Sequence, residues 1–190
     1  MITDPRIAVI GCGYWGKNLV RNFAQLRVLS VICDEDEKIL NAQATLYPQV
    51  RATTRFVEVL EDPAVHGIVI ATPAAMHYEE AQAALQAGKH VFVEKPLSLQ
   101  HDQGAELVEL SRKTGLTLMV GHILEYHPAV TLLKDLILRK ELGRILYIYS
   151  NRLNLGKVRQ VENILWSFAP HDIAVICSVI GAAPVSVQAT

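Results

Sequence analysis

Two short stretches place residue types at spacings suited to chemistry. In "GCGYWG", Gly11, Gly13 and Gly16 follow an apolar run and precede an amphipathic one, and Asp34 closes the next apolar run. Strand, glycines, helix, strand and acid in this order suit a dinucleotide. Gly11 permits the tight turn, Gly13 lets the backbone approach a pyrophosphate, and Gly16 lets the helix pack close to the sheet. The phosphates would meet the positive end of the first helix and its amide N–H groups. Asp34 has two readings, as acceptor for the adenosine ribose hydroxyls or as N-cap of the following helix. In the first, a 2'-phosphate would face Asp34, Glu35 and Asp36, which favours NAD over NADP. Tyr14 and Trp15 lie inside the motif and are candidates for cofactor contact. Trp15 at a helix start also suits a core position, and Lys17 suits a solvated charge.

The second stretch is "HVFVEKPLS", His90 to Ser98, which ends a strand-forming run with a carboxylate, an ammonium and a proline. Charged residues and Pro are ordinary marks of a strand leaving the core. In open α/β sheets, however, ligands bind outside the carboxyl ends of the strands. That edge would gather Ala71, Thr72, Pro73 and His77 of "ATPAAMH" with Glu94, Lys95 and Pro96. There an ammonium at Lys95 would stand beside a nicotinamide and a substrate carbon, stabilising a developing alkoxide and orienting the hydroxyl that loses hydride. Glu94 would hold that lysine, and Pro96 would set the direction of the loop through a cis peptide. Thr72 and His77 would approach the nicotinamide side, although either residue type also serves as a cap or surface group.

The elements that must position these residues alternate. "RIAVIG" (6–11), "VLSVICD" (28–34), "GIVIAT" (67–72), "HVFVE" (90–94) and "LTLMVG" (116–121) are nearly continuous apolar runs, as in parallel strands buried on both faces. Between them lie helical stretches over 15–26, 36–47, 76–87 and 102–113, with Gly88 and Gly115 where left-handed C-terminal caps belong. Right-handed crossovers then give an α/β, doubly wound Rossmann sheet over residues 1–121, its strand order unreadable from pattern alone. Residues 122–190 change character: a helix over 128–140, a strand-like "RILYIYSNRL", a polar loop, a helix over 169–180 and a final "PVSVQAT" with strand-like alternation. A strand pair with helices buries little surface, so this region reads as the start of an α+β open-sheet domain, truncated before completion.

The 190 residues are 51% hydrophobic, enough for one core plus part of another. A formal charge of -1 with interspersed signs gives neither a basic stripe for nucleic acid nor a polybasic block for membrane. A redox-sensing regulator would need a helix-turn-helix or basic patch, and neither is present. Cys12, Cys33 and Cys177 stand at unrelated spacings without a C-x-x-C pair, so they read as buried hydrophobes in a reducing compartment, with no metal site. No run approaches the ~18 continuous apolar residues of a membrane span, and no leader pattern opens the chain, so the expected location is the cytoplasm.

"GCGYWG", "ATPAAMH", "AGKHVFVEKPLS" and "VGHILEYHPAV" together resemble the glucose-fructose oxidoreductase and inositol dehydrogenase (Gfo/Idh/MocA) family, and the resemblance runs over essentially the whole chain. It implies an NAD(P)-dependent oxidoreductase acting on sugars, sugar nucleotides or cyclic polyols, with a Rossmann domain and a C-terminal open-sheet domain. It matches Lys95 to the active-site lysine, Pro96 to an often cis proline, and His171 of "SFAPHDIAVI" to a second catalytic group. Inositol-type members carry Asp, and some sugar-nucleotide members Asn, four residues before that histidine, where this chain has Ser167. A hydroxyl cannot act as a carboxylate base, and Asp172, one residue after His171, is turned by about 100° around a helix.

The stretch 151–173 looks most like surface-polysaccharide members resembling UDP-N-acetylglucosamine 3-dehydrogenases. Arg152, Asn154, Lys157 and Arg159 would offer charges and donors to a diphosphate, and Trp166 a flat surface to a ring, or the segment is a solvated loop. Either His171 or Lys95 would receive the hydroxyl proton. Family members continue for roughly as much chain again, through a sheet that commonly forms the oligomer interface. A complete domain would therefore imply a homo-oligomer. An incomplete one would imply a catalytically weak NAD-binding remnant or a subunit that needs a partner.

Overall fold

The structure, a computed structural model, describes residues 4–151 and 164–188. It divides into two compact units, residues 1–121 and 122–190.

The first unit alternates as the apolar runs require: β1 (Ile7–Ile10), α1 (Gly16–Gln25), β2 (Leu29–Cys33), α2 (Glu37–Leu46), β3 (Arg51–Thr53), α3 (Phe56–Glu61), β4 (Gly67–Ile70), α4 (His77–Gln86), β5 (His90–Val93), α5 (His101–Thr114) and β6 (Leu118–Val120). All six strands are parallel, in the order β3-β2-β1-β4-β5-β6. Successive side chains of a strand point to opposite faces. Ala8 and Ile10 accordingly join Val31, Ile68, Ile70, Val91, Val93, Leu85 and Leu107 in one buried cluster, while Val9 joins Leu19, Val20, Ile32, Leu40 and Val69 in the other. The central strands are buried on both faces, which is why their apolar runs are nearly continuous, and β4 is buried at every residue.

Helix ends follow local chemistry. Asp36 is the N-cap of α2 and accepts from the amides of Lys38 (2.8 Å) and Ile39 (3.3 Å). Gly88 (φ +77) and Gly115 (φ +69) take the left-handed conformation after α4 and α5. Two elements escape the sequence pattern, β3 and α3. One is a three-residue edge strand with two exposed residues, and the other is a six-residue helix.

The second unit contains a 3-10 turn at Ile123–Tyr126, α6 (Pro128–Leu138) and α7 (Ile164–Ile180). Proline at the first position of α6 fixes a helical φ where no N–H is needed, and His127 Nδ1 accepts from the Ala129 amide at 3.2 Å. Helix α7 starts five residues earlier than the sequence suggests, so Pro170 falls inside it. Among the described residues the two strands expected here are not formed. Residues 145–151 and 184–188 are irregular, because a strand needs a hydrogen-bonded neighbour and neither segment pairs with another among the described residues. Alternation alone thus gave Val185 and Val187 a core face, whereas both lie in solvent. Among the described residues no helix is long and apolar enough to cross a membrane.

Candidate active site

The register of the sheet builds the site. Cys33, Ile10, Ile70, Val93 and Val120 form a row of aligned residues at the carboxyl ends of β2, β1, β4, β5 and β6. The next residue of each strand is therefore brought to one edge: Asp34, Gly11, Ala71, Glu94 and Gly121. Their amides continue the ladder, Gly11 to Cys33 O (2.8 Å), Ala71 to Ile10 O (2.8 Å), Glu94 to Ile70 O (2.9 Å) and Gly121 to Val93 O (2.8 Å). Gly11 and Ala71, far apart in sequence, stand side by side because parallel strands all end in the same direction.

The three motif glycines have different surroundings. Gly11 has φ +80, and a Cβ there would lie 2.7 Å from Thr72 N and 2.8 Å from Ala71 C and O, so the loops after β1 and β4 touch. A Cβ on Gly16 would lie 1.8 Å from Gly11 O, because α1 begins directly on the loop. A Cβ on Gly13 would meet nothing within 4 Å. The first and third glycines are filled by the protein itself, while the second leaves its backbone open beside the start of α1. That is the cradle a pyrophosphate requires, and the residues present fit NAD.

Asp34 ties this loop to β2. Its Oδ2 accepts from the Cys12 amide at 2.6 Å and its Oδ1 from the Asp36 amide at 2.9 Å. The capping role at α2 belongs to Asp36. Exposed Glu35 and Asp36 follow directly, so the edge of β2 is acidic where a 2'-phosphate would come. Tyr14 projects into solvent with Lys17 Nζ 5.7 Å from its ring centre. Cys12 and Cys33 are buried, and burial first, with Asp34 nearby, pushes both thiols up to about 12, so neither is a nucleophile at neutral pH.

At the other side of the edge, Trp15 Nε1 donates to Glu94 Oε1 at 2.7 Å, joining the glycine loop to the loop after β5. Glu94 Oε2 accepts from the Lys95 amide at 3.3 Å. Burial raises the Glu94 carboxyl above its usual range, opposed by the bond from Trp15, the Lys95 amide and the charges of Lys95 and His77. A Cβ on Gly121 would lie 3.0 Å from the carboxyl carbon and both oxygens of Glu94, so any side chain there would push that carboxyl back by a few tenths of an ångström. Lys95 is half-buried, and the Lys95–Pro96 peptide is cis. Thr72 Oγ1 donates to Glu80 Oε2 at 2.5 Å. His77 is 1% exposed, its two ring nitrogens 2.7 Å from Pro96 O and 2.9 Å from Thr72 O. Pro73 is exposed at the lip, followed by a 3-10 turn at Ala74–Met76.

The first unit thus gathers Gly11, Gly13, Trp15, Gly16, Asp34, Ala71, Thr72, Pro73, His77, Glu94 and Lys95 along one edge. Glu80 and Gly121 belong with them although the sequence reading passed over both. The signal for Glu80 was its helical spacing, since His77, Glu80, Ala81, Ala84 and Leu85 make one buried stripe of α4.

His171 lies in the second unit, half-buried on α7, with Trp166 on the same helix. Asp172 Oδ1 accepts from Ser150 Oγ at 3.0 Å. Arg152, Asn154, Lys157 and Arg159 lie outside the described residues, as does the side chain of Ser167. Among the described residues no group of three or more His, Cys, Asp or Glu is placed to hold a metal ion.

A parallel six-stranded sheet in this order, with its glycine turn, open second glycine and acid at the end of β2, defines a dinucleotide-binding Rossmann domain. Residues 5–122 match the family described as "Oxidoreductase family, NAD-binding Rossmann fold" (GFO_IDH_MocA), and the chain belongs to that family. It is 30% identical over 186 residues to a UDP-N-acetylglucosamine 3-dehydrogenase of Acidithiobacillus ferrooxidans, covering 97% of this chain and 57% of the relative. A putative oxidoreductase from Magnetospirillum magnetotacticum superposes with a TM-score of 0.85 at 30% identity, over 97% of this chain and 59% of the other. The WlbA dehydrogenase from Bordetella pertussis, solved in complex with NADH and UDP-GlcNAcA, gives a TM-score of 0.69 at 28% identity, over 74% of this chain and 43% of that one. The chain spans about half the length of the curated relatives it matches.

Proposed function

We propose that the chain acts in an NAD-dependent dehydrogenase that oxidises a secondary hydroxyl of a sugar, with C3 of a UDP-N-acetyl-hexosamine-type sugar nucleotide as the reacting carbon. The observation that carries this reading is the placement of Lys95. It lies two residues beyond the end of β5, at the edge that also holds the open glycine loop, beside a carboxylate tied to that loop through Trp15. NAD, when bound, supplies the hydride acceptor. The substrate CH–OH becomes C=O as its hydride leaves with two electrons, and the hydroxyl proton goes to a base of the protein. Lys95 orients the hydroxyl and stabilises the negative charge that develops on its oxygen. His171 or Lys95 itself receives the proton; an imidazole suits that transfer near neutral pH.

The choice of a sugar nucleotide is supported by the names of two relatives, one a UDP-N-acetylglucosamine 3-dehydrogenase and one a dehydrogenase solved with UDP-GlcNAcA. It is supported too by Ser167, which stands where an inositol-type member has a carboxylate.

The test is the reduced-nicotinamide absorbance after mixing the protein with NAD and, in parallel, UDP-N-acetylglucosamine, UDP-N-acetylglucosaminuronate or myo-inositol. Turnover with a UDP-sugar is the expected result. Turnover with myo-inositol alone would replace the substrate class, and no turnover with any of the three would overturn the assignment.

A further inference from the structure

His77 is a buried titratable group to which the proposed chemistry gives no step. It opens α4, is 1% exposed, and holds two carbonyl oxygens from different loops: Nε2 lies 2.9 Å from Thr72 O, after β4, and Nδ1 lies 2.7 Å from Pro96 O, after β5. Both partners accept and neither donates. A neutral imidazole carries one N–H, so one of its contacts would set a ring lone pair against a carbonyl lone pair at hydrogen-bond distance. The imidazolium has two N–H groups and satisfies both.

Its charge also has a counterpart, since the buried Glu94 carboxyl lies within its electrostatic reach. The other charged groups nearby are Lys95, next to Glu94, and Glu80, one turn along α4 and occupied by the Thr72 hydroxyl. Pro96 O is the carbonyl of the residue directly after Lys95, in the Pro96–Leu97 peptide unit. A ring fixed to Thr72 on one side therefore fixes the backbone from which the lysine projects. With both ring nitrogens engaged, His77 presents neither to the open side of the cleft.

We propose that His77 is a positioning residue: as an imidazolium bridging the Thr72 and Pro96 carbonyls, it locks the loop after β5 to the loop after β4 and so sets the position of Lys95. This rests on the reading of Lys95 as the group that meets the substrate, but its test does not need turnover.

Two readouts decide it. Imidazole 15N–1H spectra at about pH 7.5, with the His77 signals assigned by their loss in His77→Gln, should show slowly exchanging protons on both ring nitrogens. A ring with a single proton overturns the proposal, and this measurement uses the unmodified protein. The second is the acetylation rate of the Lys95 amine relative to that of exposed Lys17, read by mass spectrometry in the wild type, His77→Gln and His77→Leu. The Lys95 rate should change about threefold or more in His77→Leu, and less in His77→Gln, whose amide keeps a donor for one carbonyl. Lys17 serves as the unchanged reference. An unchanged Lys95 rate in folded His77→Gln and His77→Leu would make the imidazolium a fold-stabilising group only and overturn the positioning role. If His77→Leu does not fold, His77→Gln and the spectra still decide. Absence of sugar oxidation would defeat the proposed function while leaving both readouts intact.

Discussion

Replacing Gly13 by Ala should separate cofactor binding from folding. A Cβ at Gly13 meets no heavy atom within 4 Å, and the backbone there is not left-handed. The folded state loses nothing and the unfolded chain loses freedom, so stability should hold or rise by about 0.4–1 kcal/mol. The same methyl at Gly11 must be accommodated at φ +80, with Thr72 N at 2.7 Å and Ala71 C and O at 2.8 Å, all of them backbone atoms that cannot rotate away. The left-handed conformation costs an alanine about 1–2 kcal/mol and forced overlap about 1–3 kcal/mol, so Gly11→Ala should lose about 2–5 kcal/mol. The open face of Gly13 is where the pyrophosphate approaches in this account, so its methyl should weaken NAD binding by about tenfold or more, equivalent to about 1.4 kcal/mol. Urea unfolding gives the stabilities and calorimetric titration the affinities. Gly13→Ala binding NAD as tightly as the wild type, or Gly11→Ala unfolding at the wild-type midpoint, would refute the assignment of the loop.

Two further substitutions probe the frame. Lys89 is 6% exposed and donates to Asp62 O at 2.6 Å and Val65 O at 2.8 Å, so Lys89→Met, which keeps an unbranched apolar stem but not the donors, should lower stability by about 1–3 kcal/mol. An unchanged urea midpoint would show that those carbonyls find other partners. Glu80 is pushed from 4.5 up to about 7, chiefly by burial, with the Thr72 bond opposing and Glu35 and Glu79 adding to it. The folded protein then holds a proton that the unfolded chain has released, so stability falls as pH rises from 4.5 to about 7 and stays lower above. Glu80→Gln removes that loss. It should match the wild type near pH 4.5 and exceed it by about 1–3 kcal/mol at about pH 8, and parallel pH dependences for the two proteins would contradict this.

The parts legible in the sequence were those written in strong local signals. Five nearly continuous apolar runs became β1, β2, β4, β5 and β6, because central strands buried on both faces leave little freedom for polar residues. The glycine turn was legible for a similar reason: contacts at Gly11 and Gly16 leave no room for a side chain. What escaped has weak local character. Arg51–Thr53 is an edge strand with little burial to dictate its residues, and its pairing with β2 is a non-local fact. The reverse holds at 145–151 and 184–188, strand-like in pattern but irregular in the structure, because a strand also depends on a neighbour that sequence pattern does not supply. At the site, residue types picked out Lys95 and Glu94, but the bond from Trp15 to Glu94 spans 79 positions and depends on sheet register. The burial of His77 between two carbonyls likewise follows from where the loops after β4 and β5 end.

In the proposed function Lys95 takes part in the chemistry rather than in holding the cofactor or the fold. Lys95→Ala should be measured for turnover of a UDP-N-acetyl-hexosamine and, in parallel, for NAD affinity by calorimetry. The expected result is turnover lower by about 100-fold or more with NAD affinity changed by less than about threefold. Turnover at the wild-type rate would remove Lys95 from the reaction, and an equal loss of NAD affinity would reduce it to a cofactor contact.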